Sequence, residues 1–133
     1  MKKKYFLNKI DTLDIKIGKP FLIFLNWDLW AWKTTLSKYI LSELLGIKEN
    51  ITSPTYTYYN KYRGNYHFDL YRLKNYDEFF AIWAEEILDN NEGVILVEWP
   101  DIIKDYYKPD LEIIISKTDD NMQREIEIKY KKK

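Results

Sequence analysis

Two uninterrupted apolar runs mark the centre of the predicted sheet. Residues 21–25 (FLIFL) and 94–97 (VILV) are short, rich in β-favouring residues and free of polar positions. Strands of a parallel sheet have this composition when helices cover both of their faces. The pattern therefore predicts two buried parallel strands.

Other segments show the alternation of apolar and polar residues that is typical of half-buried strands. In residues 124–130, Ile and Tyr alternate with charged residues, which is typical of an antiparallel edge strand with one solvated face. A turn at Arg63 and Gly64 separates two more β-rich segments. The remaining predicted strands are residues 55–62, 65–70 and 111–116, with an edge strand or a short lead-in over residues 5–17.

Apolar residues at helical spacing predict two helices, over residues 34–45 and 76–88. Gly46 follows the first of them, at the position where a helix C-terminal cap is expected. The combined elements predict an α/β sandwich, with a mostly parallel central sheet, antiparallel edge strands and flanking helices.

Length and composition fit one compact domain over residues 1–133. Hydrophobic residues make up 46% of the chain, and the 21 basic residues balance the 21 acidic residues, so net charge does not point to nucleic acid. The chain has no cysteine, which excludes disulfides and thiolate metal sites. No apolar stretch approaches the roughly 20 residues of a membrane span, and nothing resembles a signal peptide, so we expect a cytoplasmic protein without membrane contact.

The segment between the first apolar strand and the first helix has the frame of a P-loop. The pattern is G-x-x-x-x-G-K-S/T, and Trp27 and Trp32 occupy its glycine positions, followed in register by Lys33 and Thr34. Such a loop binds phosphate through inward-pointing backbone amides and the positive end of the next helix. Glycine permits that close approach, whereas an indole would be strained and would fill phosphate space. The loop as written should bind ATP poorly or not at all.

Three further motifs follow the loop, at residues 53–57 (SPTYT), 67–73 (HFDLYRL) and 98–100 (EWP). With the loop, they resemble the ordered signature of the bacterial TsaE (YjeE) ATPases, which serve tRNA threonylcarbamoyladenosine synthesis and whose loop reads G-D-L-G-A-G-K-T-T. A lone P-loop would indicate only an NTPase, but four motifs in order over residues 21–100 are far more specific. The resemblance implies ATP and Mg²⁺ as cofactors, TsaD and TsaB proteins as partners, and tRNA contact through their complex.

Four of the five tryptophans fall on positions where that family carries glycine, namely Trp27, Trp30, Trp32 and Trp83; only Trp99 is a family tryptophan. The chain has 4 glycines in 133 residues, well below the typical share of about 7%. We hypothesise that the gene uses UGA for glycine, as some bacterial lineages do, and was translated with a table that reads UGA as tryptophan. The alternative is a degenerate or engineered paralogue that has lost ATP binding.

Motif matching assigns roles to the nucleotide-binding residues. Lys33 is expected to reach the β- and γ-phosphates, and the Thr34 hydroxyl to ligate Mg²⁺. Glu98 ends the second apolar strand, where a carboxylate meets the metal at the carboxyl edge of the sheet, and we expect it to contact Mg²⁺ through water. The nucleotide-binding segment comprises Trp27, Asp28, Leu29, Trp30, Ala31, Trp32, Lys33, Thr34 and Thr35.

The resemblance implies further functional residues, and each has a structural alternative. Asp69 is implied as a catalytic carboxylate that orients the attacking water or holds the metal shell, unless it only caps a turn or pairs with Arg72. Trp99 belongs either to the functional surface or to the core. Arg124 matches a basic residue near the nucleotide, although Gln123 replaces the glycine that precedes it in the family. His67, the only histidine, is interpreted as structural or as a supporting residue.

The resemblance implies that the motif at residues 53–57 is a switch-like loop that responds to the γ-phosphate. The alternative is a Ser-Pro turn that leads into a strand. The loop consists of Ser53, Pro54, Thr55, Tyr56 and Thr57.

Three function classes follow from these motifs. The first is an ATPase of the tRNA-modifying complex, slow without partners because the chain offers no arginine finger beyond Arg72 or Arg124. The second is a small-molecule kinase, which would need a substrate lid that 133 residues leave little room for. The third is a nucleotide-free scaffold whose tryptophans close the pocket. Lysine runs at both ends and tyrosines among basic residues at 56–63 also allow RNA contact, although solvated termini and ordinary strand tyrosines explain them more simply.

Overall fold

The computed structural model describes residues 2–6, 15–27, 33–48, 58–119 and 123–131. In these ranges the strands are β1 (Lys2–Phe6), β2 (Phe21–Trp27), β3 (Tyr59–Tyr62), β4 (Asn65–Asp69), β5 (Val94–Glu98), β6 (Leu111–Lys117) and β7 (Gln123–Tyr130). The helices are α1 (Lys33–Lys38), continued by a π-helical segment (Tyr39–Leu44), α2 (Tyr76–Ala81), α3 (Ala84–Asp89) and a 3₁₀ turn (Pro100–Ile102).

The strands form one seven-stranded sheet in the order β1-β7-β6-β2-β5-β4-β3. Its centre is parallel, because β2 pairs with both β5 and β6, and β5 pairs with β4. Antiparallel strands flank this centre, with β7 and β1 beyond β6 and with β3 beyond β4. The predicted α/β fold, with a mostly parallel centre and antiparallel edges, is confirmed.

Each face of the sheet buries its own apolar cluster, since side chains alternate between faces along a strand. On the face covered by α1, Leu25 and Leu96 pack with Leu36 of that helix. On the opposite face, Phe24 packs with Phe79 of α2. We call these the α1 face and the α2–α3 face. In the described ranges no helix is both long and apolar enough to cross a membrane.

The predicted edge position of residues 124–130 is wrong. β1 pairs with β7 from Lys2 opposite Glu127 to Phe6 opposite Gln123, so β7 is an inner strand and β1 is the edge. Alternation alone misleads here because a strand with one solvated face has the same pattern inside and at the edge of an antiparallel region. The predicted N-terminal edge strand is confirmed, but over residues 2–6.

The first helix and the hairpin agree with their predictions in outline. The helical segment begins at Lys33 and ends at Leu44, and Gly46 adopts the left-handed conformation of a C-terminal cap (φ +68°). The hairpin turn lies at Arg63 and Gly64, both with positive φ. Its first strand, β3, is shorter than predicted and begins at Tyr59; residues 55–57 lie outside the described ranges.

The single helix predicted over residues 76–88 is wrong, because the chain breaks there into α2 and α3. Trp83 lies between the two helices with φ 67° and ψ 15°, in the left-handed region. A side chain at such a position costs roughly 1–2 kcal/mol, which glycine avoids. The indole is 72% exposed and gains little from burial. The backbone at this tryptophan is therefore one that glycine would adopt without strain, which supports the expectation of glycine at this position.

Replacing Trp83 by glycine is expected to stabilise the fold. Relief of the backbone strain, less the greater freedom of glycine in the unfolded chain, leaves a gain of about 0.5–1 kcal/mol. This corresponds to a rise of about 2–4 °C in the melting temperature, measured by calorimetry. Trp83→Ala is the matched control, because it removes the indole but keeps a Cβ at positive φ. An equal gain in Trp83→Ala would show that the exposed indole, not the backbone, causes the instability.

Candidate functional site

The candidate site lies at the carboxyl edge of the parallel strands. β2 ends at Trp27 and α1 begins at Lys33, so the P-loop-like segment leaves the sheet at this edge. At the same edge Glu98 of β5 lies between Leu25 of β2 and Asp69 of β4 in register. Neighbouring strands are about 4.8 Å apart. The sheet therefore brings together the two predicted carboxylates and the strand that leads into the loop.

Both carboxylates belong to the α1 face. Phe68 packs on the α2–α3 face, and Leu96 packs on the α1 face. Alternation then assigns His67 and Asp69, which flank Phe68, to the α1 face, together with Glu98. This is the face covered by α1, the helix that follows the loop.

The Glu98 carboxylate is buried and held from two sides. It is 1% exposed, and its Oε1 accepts a hydrogen bond from the Ser37 hydroxyl of α1 at 3.1 Å. Its Oε2 lies 2.5 Å from Nε2 of His67 on β4. The glutamate thus joins α1, β4 and β5 at the point where the loop helix meets the sheet.

Asp69 is half-buried and caps the turn that follows β4. Its Oδ1 accepts a hydrogen bond from the Tyr71 backbone N–H at 3.1 Å, and its own N–H donates to the Tyr58 carbonyl at 2.9 Å. The capping alternative is therefore observed. It does not exclude a catalytic role, since a carboxylate accepts about four hydrogen bonds.

Trp99 packs against the core, as its structural alternative predicted, and its role at a functional surface stays a prediction. It follows Glu98 with a left-handed backbone (φ 58°) and packs partly buried against the α1-face cluster. Its other neighbour is Tyr71, whose ring centroid lies 5.1 Å away and whose side chain is 53% exposed. Trp99 thus packs against the core on one side and against the exposed Tyr71 ring, beside the Asp69 turn, on the other.

Arg124 lies at the same edge of the sheet, but two strands away from β2. It pairs with Lys117 at the end of β6 and shares the α1 face with Ile126, two residues along β7. Its side chain is buried, and Nη1 donates to the Gln123 carbonyl at 2.6 Å. The structure thus places this arginine at the same edge and on the α1 face, and its predicted role near the nucleotide stays a prediction.

Several predicted site residues lie outside the described ranges or are described by backbone alone. Trp27 is the last residue of β2, and the chain from Lys33 to Thr35 opens α1. The residues outside the described ranges are Asp28, Leu29, Trp30, Ala31, Trp32 and the switch-like loop Ser53, Pro54, Thr55, Tyr56 and Thr57. Their predicted roles stay predictions.

Two partners of Glu98 were not assigned to it from the sequence. Ser37 lies three residues after Thr34, on the same side of the helix, and it is a hydroxyl among apolar buried positions. His67 lies two residues before Asp69, so strand alternation puts the two on one face. Helical and strand spacing therefore predict that both residues face the site, but they do not predict the hydrogen bonds to Glu98.

The donors at this edge fit Mg²⁺. Asp69 and Glu98 supply carboxylate oxygens, the ligands that this ion prefers, and each oxygen of Glu98 keeps capacity for a further partner. No group of three or more metal-binding side chains occurs among the residues that the structure describes. Mg²⁺ in nucleotide sites commonly takes only one or two carboxylates, with phosphates and waters completing its shell.

Comparisons with known proteins give a family match for this chain. The family model described as "Threonylcarbamoyl adenosine biosynthesis protein TsaE" matches residues 4–126. The tRNA threonylcarbamoyladenosine biosynthesis protein TsaE of Rickettsia felis is 38% identical over 105 residues, 75% of this chain and 60% of that protein. The Rickettsia typhi protein of the same name is 37% identical over 81% of this chain and 76% of its own length. The match thus spans about 60% of the Rickettsia felis relative.

A solved structure has the same fold. The crystal structure of Bacillus subtilis YdiB aligns with a TM-score of 0.60 and 30% sequence identity, over 95% of this chain and 82% of that one.

Proposed function

Because this chain belongs to the TsaE family of threonylcarbamoyl adenosine biosynthesis proteins, we propose that it binds ATP with Mg²⁺ and hydrolyses it. Its relatives are named for tRNA threonylcarbamoyladenosine biosynthesis, and we assign this chain to the same process. It would act with TsaD- and TsaB-type proteins and meet tRNA through their complex.

One observation carries this proposal. Asp69 and Glu98 are direct cross-strand neighbours at the carboxyl edge of β4 and β5, and β2, which leads into the P-loop frame, lies next to them. Ligands of open α/β sheets bind outside the carboxyl ends of the strands. Two carboxylates beside a phosphate-binding loop are the arrangement that nucleotide hydrolysis with Mg²⁺ needs.

Each residue has a part in the proposed reaction. Lys33 binds the β- and γ-phosphates, while Thr34 and, through water, Glu98 hold Mg²⁺. When bound, this ion neutralises charge on the phosphate oxygens. Asp69 accepts a hydrogen bond from the attacking water, whose oxygen bonds to the γ-phosphorus as the bond to the bridging oxygen of ADP breaks. The protons of that water leave with the inorganic phosphate or pass to solvent. We expect slow turnover without partners.

The test measures phosphate release from ATP, once with Mg²⁺ and once with excess chelator. It compares the chain with glycine restored in the loop with the Asp69→Asn variant of that chain. Loss of the water-orienting carboxylate is expected to lower the turnover rate about 100-fold. Asp101→Asn is the matched control, because Asp101 is exposed in the 3₁₀ turn just beyond the site. Hydrolysis that is independent of Mg²⁺, or unchanged by Asp69→Asn, would contradict the assignment.

A nucleotide-free scaffold is the second candidate, and the loop tryptophans favour it. If Trp27, Trp30 and Trp32 are genuine in the native protein, we expect their indoles to compete with phosphate for the loop. Binding of TsaD- and TsaB-type proteins without measurable ATP affinity would identify this function. A small P-loop kinase would require a substrate lid in addition, and no observation favours it.

A further inference from the structure

The only histidine of the chain is buried against the proposed metal-binding glutamate. His67 is 2% exposed, and its Nε2 lies 2.5 Å from Glu98 Oε2. In register His67 pairs with Leu96, so its ring reaches two residues along β5 toward the carboxyl edge. Apolar side chains fill the core on both faces of the sheet. The buried imidazole, which is directed along the sheet toward a carboxylate, is therefore not needed for packing.

The contact fixes where the imidazole proton lies. An ionised carboxylate only accepts hydrogen bonds, so Nε2 must carry the hydrogen. Nδ1 is buried and has no hydrogen-bond partner among the described residues. A ring with hydrogen on Nε2 meets the first condition, because the tautomer with its hydrogen on Nδ1 alone would turn two acceptors toward each other.

Two side chains hold the Glu98 carboxylate in one orientation. Ser37 holds one carboxylate oxygen and His67 holds the other, from two elements on different sides of the glutamate. Catalytic and metal-binding groups act only when neighbouring side chains lock their orientation.

We propose that His67 is a positioning residue, which orients the Glu98 carboxylate toward the metal through its Nε2–H. The inference rests on the proposed ATPase function. His67 does not touch nucleotide or metal and takes no part in bond breaking. Its contribution is the orientation of the carboxylate, so its loss affects turnover more than nucleotide binding.

Two amide replacements test this role. The amide nitrogen of Gln reaches about as far as Nε2, whereas that of Asn reaches only about as far as Nδ1. In the chain with glycine restored in the loop, His67→Asn is expected to lower kcat about 10-fold or more, with little change in KM. His67→Gln is expected to recover most of the rate. Both variants place an amide in the same buried site, and calorimetry checks that both fold.

The single histidine also permits a readout that is independent of activity. The ¹⁵N spectrum of the imidazole should show the Nε2–H tautomer, and Glu98→Gln should shift the Nε2 resonance. An Nδ1–H tautomer, or equal kcat in His67→Asn and the parent chain, would overturn the inference and leave the proposed ATPase intact. Absence of hydrolysis in the parent chain itself would overturn the proposed function, and this inference with it.

Discussion

Replacement of the three loop tryptophans by glycine, in the variant Trp27→Gly/Trp30→Gly/Trp32→Gly, is expected to tighten ATP binding about 100-fold or more. A side chain at a glycine position of a P-loop opposes the close approach of phosphate to the backbone amides. A total penalty of about 3 kcal/mol over the three positions corresponds to about a factor of 100, since every 1.4 kcal/mol is a factor of ten in affinity. Calorimetric titration with ATP and Mg²⁺ measures the effect.

The matched control is Trp83→Gly. It makes the same exchange at a left-handed position between α2 and α3, on the opposite face of the sheet from α1. We expect it to change stability but not ATP affinity. Micromolar binding of ATP by the chain as written would contradict the steric argument. The codons at these positions, and the mass of the native peptides, would then decide between recoding and a genuine glycine-less loop.

The second large effect is expected at Glu98. The variant Glu98→Gln, made in the chain with glycine restored in the loop, removes the negative charge next to the proposed metal. It also places an amide NH₂ group opposite either the Ser37 hydroxyl or the His67 imidazole, which now contact carboxylate oxygens. We expect phosphate release to fall about 100-fold, while ATP affinity changes by no more than about threefold. The loss of charge-assisted bonds also lowers the free energy of unfolding by about 1–2 kcal/mol, so rates are compared well below the melting temperature.

Glu112→Gln separates this role from a general effect of strand carboxylates. Glu112 lies on β6, next to β2, and its Oε2 accepts a hydrogen bond from the Asn26 side chain at 2.7 Å. It alternates with Leu111 and Ile113, which pack on the α1 face, so it belongs to the opposite face. Its replacement should leave hydrolysis intact. An equal loss of rate in both variants would show that the effect at Glu98 is one of stability.

The sequence predicted the centre of the fold better than its borders. The runs at residues 21–25 and 94–97 are apolar because helices cover both faces of β2 and β5, whereas a strand with one solvated face would alternate. The edge assignment of β7 failed because it depends on residues 2–6, more than a hundred positions away. The break at Trp83 was missed because tryptophan hides the left-handed position that glycine would have revealed.

The candidate site shows the same division. Motif order identified Asp69 and Glu98, and strand ends placed them on one edge, because parallel strands end together. The Ser37 and His67 contacts to Glu98 depend on the rotation of α1 over the sheet and on side-chain reach. Residue spacing within one helix or strand determines neither the rotation of α1 nor the reach of a side chain. The motifs therefore identify the residues but not their hydrogen bonds.

The sheet order also constrains how this chain assembles during synthesis. β2, the central strand, pairs only with β5 and β6, which lie about 70 and 90 residues later, and β1 pairs with a strand that begins at Gln123. Pairings of such sequence separation form slowly and late. On the ribosome, the early strands must therefore wait unpaired until most of the chain has emerged. The apolar run of β2 therefore has no sheet partner until residues 94–98 have been synthesised.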